Sequence, residues 1–451
     1  MGKYFGTDGV RGVANVELTP QLAYKIGRAG VFVLQKYSRH KETKTRVIIG
    51  TDTRISKDLL LSAVASGAMS MGADVIDMGV APTPAVAYTT KKCCADAGIV
   101  ISASHNPMEY NGIKFFNSNG LKLDDEIELE IEEYIDNMDK IDEEISAERV
   151  GRFLPENKID AYKEFLCKFE KIDLSGLNIT LDCAHGAAYQ IAPEIFEKLG
   201  ATVFVINNQP DGTNINKNAG STHVEGLMEA VRKNKSDIGL AYDGDADRLI
   251  AVDEKGEAVD GDRIMLICAK YLKENNALKN NKLVVTVMSN LGLHTAAKEL
   301  GIEIETTAVG DRYILERMLE KDYSFGGEQS GHMIFLNYNT TGDGILSSLI
   351  LSKIVKESGK KLSELAQIMQ IYPQVLVNAK VSNAKKTEYQ THPEIQKDIQ
   401  DLEKKMDGKG RVLIRHSGTE PLVRVMLEGQ DIREITNYAE ELAHKIEQLL
   451  A

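Results

Sequence analysis

The chain has 451 residues, room for about three domains at roughly 150 residues each. With 43% hydrophobic and 27% charged residues it has the composition of a folded globular protein, which excludes a disordered chain. Its formal net charge of −13 excludes a general nucleic-acid binder. No run of about 18 apolar residues is present. The opening Met1-Gly2-Lys3-Tyr4-Phe5 lacks the apolar stretch of a secretory signal, so a cytoplasmic protein without a membrane partner is expected. The cysteines (Cys93, Cys94, Cys167, Cys183 and Cys268) are odd in number, scattered and without CxxC spacing. They predict neither a disulfide framework nor a zinc site, and most are expected to be buried small hydrophobes.

In chain order, Val47–Gly50 reads as a short strand, Lys57–Met71 as a helix, and Val75–Met78 and Ala97–Ser102 as strands. Strands separated by helices predict a mostly parallel sheet. The acidic stretch Asp124–Glu148 reads as a solvated helical face, and a boundary is expected near Pro155. A similar grammar recurs in strand Asn178–Leu181, a turn after Asp182, helix Ile191–Leu199, and strands Thr202–Ile206 and Ile238–Tyr242. A third round holds strand Leu283–Val287, helix Leu293–Leu300, strand Ile302–Thr306 and a helix from Asp311. After Pro373 come Val375-Leu376-Val377, a charged helix, Val412–Ile414, Val423–Met426 and a final amphipathic helix, the pattern of a smaller α+β domain. The expected segments are 1–154, 155–255, 256–370 and 371–451. Each carries a loop rich in glycine and polar residues, and in open α/β sheets ligands gather where such loops leave the carboxyl ends of strands.

The sharpest local signal is Asp243-Gly244-Asp245-Ala246-Asp247-Arg248, directly after an apolar strand. Carboxylates at alternate positions of an extended segment share one side, and their repulsion calls for a cation. Oxygen-only ligands favour Mg²⁺ or Ca²⁺ over zinc; the bland alternative is a solvated acidic turn. An EF-hand shares the spacing of Asp243, Asp245, Asp247 and Glu254. It is set aside because Arg248 stands where that loop needs glycine, and a strand leads in.

Ser102-Ala103-Ser104-His105-Asn106-Pro107 follows Ile99–Ile101 and offers a hydroxyl beside an imidazole, a nucleophile or phosphate carrier. No Gly-x-Ser-x-Gly surrounds it, so a serine hydrolase elbow is not supported. Lys114 follows shortly after. Arg415-His416-Ser417-Gly418-Thr419-Glu420-Pro421, with Arg424 nearby, suits a phosphate dianion through two guanidinium groups and backbone N–H donors. Gly326-Gly327-Glu328-Gln329-Ser330-Gly331-His332 can read sugar hydroxyls or simply form a tight loop. Gly6–Gly12 and Gly50-Thr51-Asp52-Thr53-Arg54 are further polar glycine-containing loops. Walker A and Gly-x-Gly-x-x-Gly sequences are absent, so nucleotide sites have no motif support. A metal site, a hydroxyl nucleophile, a sugar-reading loop and a phosphate clamp in one chain suit phosphoryl transfer on a phosphosugar.

Five of these motifs, the Gly6–Gly12, Ser104, Asp243–Arg248, Gly327–His332 and Arg415–Pro421 loops, resemble those of the α-D-phosphohexomutases, in order and over the whole chain. Gln329, where phosphomannomutase/phosphoglucomutase relatives usually have methionine, and the Gly6–Gly12 stretch resemble the branch that acts on glucosamine phosphates. The resemblance implies four domains around a central cleft: three similar mixed α/β sandwich domains and a C-terminal α+β domain. It implies a cytoplasmic isomerase interconverting glucosamine 6-phosphate and glucosamine 1-phosphate, for UDP-N-acetylglucosamine and peptidoglycan precursor synthesis. The route would use a phosphoserine enzyme, with a hexosamine or hexose 1,6-bisphosphate as intermediate and activator.

Carried over by motif, Ser104 is the modified residue that bears the phosphoryl group. Asp243, Asp245 and Asp247 bind one Mg²⁺, with an oxygen of phospho-Ser104 completing the site. Glu328 and Ser330 meet the sugar hydroxyls. Arg415, Ser417, Gly418, Thr419 and Arg424 hold the non-reacting phosphate, while Arg11, Lys114 and His332 serve proton transfer or the reacting phosphate. Relatives are often homodimers through the N-terminal domain. On this reading the hydroxyl at Ser104 must be accessible and close to the aspartates; a buried or distant oxygen would count against all of it. Three positions depart from the family pattern: His416 for a common proline, His185 for the usual asparagine and Ala219 for a frequent cysteine. Two other readings stand beside this one, a broader phosphoglucomutase/phosphomannomutase and a non-catalytic sugar-phosphate sensor; retention of Ser104 and all three aspartates speaks against the sensor.

Overall fold

Runs such as Val47-Ile48-Ile49 and Ile99-Val100-Ile101 have no polar face to offer water and need cover on both sides. In a computed structural model of the chain all six residues are fully buried, on the parallel-paired strands Arg46–Thr51 and Ala97–Ile101. The structure describes residues 2–6, 8–37, 44–141, 145–156, 158–407, 409–417 and 421–451. By packing, the chain forms two units: Met1–Met288 with Gly301–Ile368, and Ser289–Leu300 with Met369–Ala451.

The first unit holds three sheets. The largest has seven strands in the order Phe5–Gly6, Gly9–Val13, Tyr110–Asn117, Ala97–Ile101, Arg46–Thr51, Asp74–Val80, Phe153–Pro155. The expectation of a mostly parallel sheet is corrected here, because Tyr110–Asn117 runs antiparallel to both its neighbours. The physical reason is the connection: residues 102–109 are too few for a crossover, which takes about a dozen residues or more, so the chain must turn straight back. That tight return is the loop carrying Ser104. Near the expected boundary, Pro155 ends an edge strand, a place where a missing N–H costs nothing. The acidic stretch is helical only over Asp125–Asp136, with short 3₁₀ turns after it; residues 142–144 of that stretch lie outside the described residues. From this helix Glu132 accepts the backbone N–H groups of Lys3, Tyr4 and Phe5 at 2.7, 2.5 and 2.6 Å, which ties down the N-terminal segment.

The second sheet is ordered Ala258–Val259, Leu249–Asp253, Ile238–Tyr242, Asn178–Asp182, Thr202–Ile206. The third is ordered Glu303–Thr307, Lys282–Thr286, Phe325–Gly327, Met333–Phe335. Helix Gly344–Ser358 has no amphipathic stripe to read because it is buried almost all round. Asp343 caps it, accepting Leu346 N–H at 2.9 Å and the Tyr162 hydroxyl at 2.7 Å, and burial pushes its carboxyl up to about 6.

The second unit is a three-stranded antiparallel sheet, Gln374–Lys380, Leu422–Gly429, Gly410–His416, with helices Pro393–Met406 and Ile432–Leu450. Helix Leu291–Glu299 packs with this unit although its sequence lies inside the third α/β segment. Fully buried Glu428 explains the attachment: it accepts Asn290 Nδ2 and Leu291 N–H, each at 3.2 Å, and pairs with Arg411 at 2.6 Å. Of the five cysteines only Cys183 and Cys268 are buried, and Cys94 is exposed, so the expectation that most would be core residues is corrected. Among the described residues no helix is long and apolar enough to cross a membrane.

In the first unit, helices Pro20–Tyr37 and Lys57–Ser70 meet backbone to backbone. A Cβ on Gly67 would stand 2.2 Å from the Tyr24 carbonyl oxygen. Gly67→Ala is therefore predicted to cost about 2–3 kcal/mol in urea denaturation, the range of overpacked cores; unchanged stability would show that the helices separate freely.

Candidate functional site

Strand Ile238–Tyr242 is buried throughout and returns antiparallel as Leu249–Asp253. The loop at its carboxyl end is thus a strand-to-strand turn, not an EF-hand. Asp243, Asp245 and Asp247 are all buried and offer carboxylate oxygens within 4.8 Å of one another. Burial, then the charges of Asp247 and Asp245, push the Asp243 carboxyl well above its ordinary value. For Asp245 burial acts the same way, but Lys114 and the Thr83 hydroxyl, at 2.6 Å, outweigh it and hold the carboxyl down. Asp245 Oδ1 and Asp247 Oδ1 are buried without a hydrogen-bond partner. Unsatisfied buried acceptors are costly, about 1–3 kcal/mol each, and here they share one place. The donor set is oxygen only, buried and anionic, and it fits a hard divalent cation such as Mg²⁺.

Ser104 lies against this loop, and its hydroxyl donates to Asp243 Oδ2 at 2.5 Å. Its backbone is left-handed, with φ +51°, uncommon for a residue with a side chain. Proximity to the aspartates agrees with expectation; accessibility does not, since Ser104 is only 1% exposed. The cause is Gly244, where a Cβ would stand 2.5 Å from the Ser104 carbonyl oxygen: the aspartate loop lies directly on the serine loop. Neighbouring His105 Nδ1 is 3.4 Å from the hydroxyl. Burial, Arg248 and Arg11 lower the imidazole to about 4, so it is neutral near pH 7.

Lys114 comes from the adjacent strand and reaches Asp245 and Asp8 at 2.9 Å each, and Asp247 at 3.8 Å. Burial works against its ammonium, but Asp245 and Asp8 outweigh it and hold the charge. Arg11 pairs with Asp8, and Asp8 with Lys122, which also pairs with Asp311. His332 Nδ1 is 3.5 Å from Asp247 and its Nε2 is 3.4 Å from Asp311. Burial opposes its charge, while Asp247 and Asp311 raise the imidazole to about 9. Gly342 N–H also points at Nε2 from 3.1 Å, a contact that only the neutral ring can accept and that works against the charged form, while Nδ1 faces Asp247 in either form. Arg11, Lys114 and His332 are thus brought to the aspartate loop. Asp8, Lys122 and Asp311 were not singled out by sequence: Asp8 sits within the flagged Gly6–Gly12 stretch, whereas Lys122 and Asp311 carry no motif signal and meet only in the fold.

The sugar-loop candidate is attached to the same place. Arg248 bridges His332, Leu249 N–H donates to Gly331 O at 3.0 Å, and Gly261 N–H to Gln329 O at 3.1 Å. Glu328 is half-buried and Ser330 exposed, with Ser330 Oγ 3.5 Å from Glu328 Oε2. Thr7 of the first motif lies outside the described residues.

In the second unit Arg415 and Arg424 stand directly opposite on neighbouring strands. Burial and then Arg424 lower the Arg415 guanidinium, and like charges so placed repel, which an anion would relieve. Ser417 is buried; Gly418 and Thr419 lie outside the described residues. Of the departures, exposed His416 ends its strand and Ala219 is buried. His185 has φ +49° and its carbonyl accepts the Thr53 hydroxyl at 2.5 Å.

Known proteins share this organisation. Residues 2–142, 159–256, 260–372 and 376–445 match, in turn, the alpha/beta/alpha domains I, II and III and the C-terminal domain of phosphoglucomutase/phosphomannomutase. A protein of Clostridioides difficile named phosphoglucosamine mutase is 59% identical over 452 residues, covering 100% of both chains. One of the same name from Caldicellulosiruptor bescii is 59% identical over 457 residues, again covering 100% of both. Among solved structures, a phosphoglucomutase/phosphomannomutase family protein from Burkholderia thailandensis superposes with TM-score 0.81 at 22% identity, over 98% of this chain and 97% of that one. Aspergillus fumigatus N-acetylphosphoglucosamine mutase, in complex with GlcNAc-6P and magnesium, gives TM-score 0.68 at 18% identity, over 100% and 96%.

The aspartate cluster makes a direct prediction. Asp245→Asn should weaken Mg²⁺ binding in calorimetry by at least about tenfold, the scale of losses around metal sites, with circular dichroism unchanged. Equal affinity in the variant would remove Asp245 from the ligand set.

Proposed function

Because the chain belongs to the phosphoglucomutase/phosphomannomutase family, we propose that it interconverts glucosamine 6-phosphate and glucosamine 1-phosphate through a phosphorylated Ser104. The observation that carries the reading is the Ser104 hydroxyl held 2.5 Å from Asp243 beside two unsatisfied carboxylate oxygens. The choice of glucosamine is supported by whole-chain relatives named phosphoglucosamine mutase.

In the forward direction the sugar 1-hydroxyl attacks phosphorus, the P–Oγ bond of phospho-Ser104 breaks and a 1,6-bisphosphate forms. The hydroxyl proton passes to a base, and the freed serine oxygen regains a proton. After the sugar turns over, Ser104 Oγ gives up its proton to a base and attacks the 6-phosphoryl group, the P–O6 bond breaks, the 6-oxygen takes a proton, and glucosamine 1-phosphate leaves. Magnesium, when bound, supplies positive charge against the transferring phosphoryl oxygens. Lys114 and Arg11 add fixed positive charge, and such positioning and neutralisation supply most of the catalysis of phosphoryl transfer. Nδ1–H of His332 is a proton held ready at the aspartate loop. Arg415, Ser417, Gly418, Thr419 and Arg424 bind whichever phosphate is not reacting, by donors that do not distinguish the two ends of the sugar. Because Ser104 is only 1% exposed, groups lying over Oγ have to move for substrate to reach it, while the backbone of the serine loop stays held. A sugar 1-phosphate can be joined to a nucleotide, and together with N-acetylation of the amine this product would supply UDP-N-acetylglucosamine for cell-wall precursors.

Intact-mass measurement of the purified protein should show one phosphate that disappears in Ser104→Ala. A fully unphosphorylated protein, inactive even with hexose 1,6-bisphosphate and Mg²⁺, would instead support a sugar-phosphate sensor. Comparison of kcat/KM should favour glucosamine phosphate over glucose and mannose phosphates; a preference for glucose 1-phosphate would support the broader mutase. Arg415→Ala should raise KM by about 10- to 100-fold, the loss expected for a charge-assisted pair to phosphate, and release bisphosphate during turnover. Unchanged KM without leakage would contradict the clamp.

A further inference from the structure

Two residues outside the proposed chemistry hold the Ser104 loop. Arg54, fully buried, uses all five of its N–H donors. Nε binds Asp52 at 2.8 Å; Nη2 binds the carbonyls of Ser104 at 3.0 Å and Asn106 at 2.8 Å; Nη1 binds those of Tyr110, at 3.0 Å, and Pro107. Asn216, from the second sheet's loops, donates through Nδ2 to the same Ser104 and Asn106 carbonyls, at 2.8 and 3.0 Å. The Ser104 N–H is held too, by Ser102 Oγ at 2.9 Å, and Ser102 is fixed on Asp52 at 2.6 Å. Every polar backbone atom of Ser104 is therefore occupied by a group whose own position is fixed.

We infer that Arg54 and Asn216 are positioning residues for phosphoryl transfer, which set where Ser104 Oγ stands by fixing its left-handed backbone. A side chain at φ +51° does not stay there by preference, and a relaxed loop swings Oγ away from Asp243. The donors come from two different parts of the unit, the end of strand Arg46–Thr51 and the segment around Asn216, so the serine is referenced to both the first sheet and the aspartate loop. Backbone contact at Gly244, whose Cβ would stand 2.9 Å from Asn216 Nδ2, closes that arrangement. A merely architectural Arg54 would need only some of these bonds. Concentrating four of five donors on the carbonyls of residues 104–110 assigns it to this loop. The inference rests on the reading of Ser104 as phosphoryl carrier.

The test prepares phosphorylated wild type, Asn216→Ala and Arg54→Lys from the full-length protein, quantifies phosphoserine by intact mass, and measures single-turnover transfer to glucosamine 6-phosphate with Mg²⁺. Rates are expressed per phosphoserine, and melting temperature is followed in parallel. Asn216→Ala is expected to transfer about 10- to 100-fold more slowly, the cost of a phosphoryl donor misplaced by about 1 Å, with KM within about twofold. Arg54→Lys, which cannot reproduce the fork, should fall at least as far. A role confined to folding would lower the melting temperature and leave the rate per phosphoserine unchanged, and that result overturns the inference. If Arg54→Lys does not fold, Asn216→Ala decides alone. If wild-type phosphoenzyme does not transfer, the functional reading itself fails and this inference with it; if wild type transfers and Asn216→Ala matches it, only the positioning role is lost.

Discussion

Three carboxylates brought together in a buried place cannot all keep their charge unless positive charge is brought to them. That constraint organises the first unit. The ammonium of Lys114 lies within reach of Asp245, Asp247 and Asp8, and Lys122 continues the alternation from Asp8 to Asp311. The remaining deficit falls on the Asp245 and Asp247 oxygens that have no hydrogen-bond partner, with only Arg248 Nε at 3.9 Å facing the latter. A divalent cation there and a phosphoryl dianion on the serine are complementary: each makes the other less costly to bury. The chemistry proposed above follows from that balance.

Several left-handed residues of the first unit gather around the same place. Ser104, Ala184, His185, Asn216 and Ala246 all have positive φ, and only the asparagine and the histidine are residue types enriched there. Such conformations persist where surrounding bonds over-determine them. The serine loop has the Arg54 fork, and the His185 turn is tied to Thr53 and to the Asn207 carbonyl. Asn216 N–H in turn bonds the Ala184 carbonyl at 2.9 Å, so the strained turns support one another.

Much of this was legible from one sequence because the informative residues are contiguous. Asp243–Asp247 and Ser104 sit in short loops after apolar strands, and strands such as Thr202–Ile206 and Ile238–Tyr242 coincide with short, mostly apolar runs in the sequence. What escaped was non-local. Lys122 and Asp311 are ordinary surface residues until two segments meet, and no motif marks Asn216. The antiparallel return after Ala97–Ile101 turned on loop length rather than strand composition. Helix Gly344–Ser358 escaped because complete burial erases the periodicity by which helices are read. The burial of Ser104 also escaped, since exposure depends on which loop lies over the serine.

The central claim is that one phosphoryl group passes from Ser104 to the sugar and another returns. It is tested most directly by following the label when ³²P-phosphoenzyme, free of bound sugar, is mixed with unlabelled glucosamine 6-phosphate and quenched within one turnover. The account predicts label first in the 1,6-bisphosphate and then at the 1-position of glucosamine 1-phosphate, with the enzyme left carrying unlabelled phosphate. Label that stays on the protein while product forms, or that leaves only as inorganic phosphate, would contradict it.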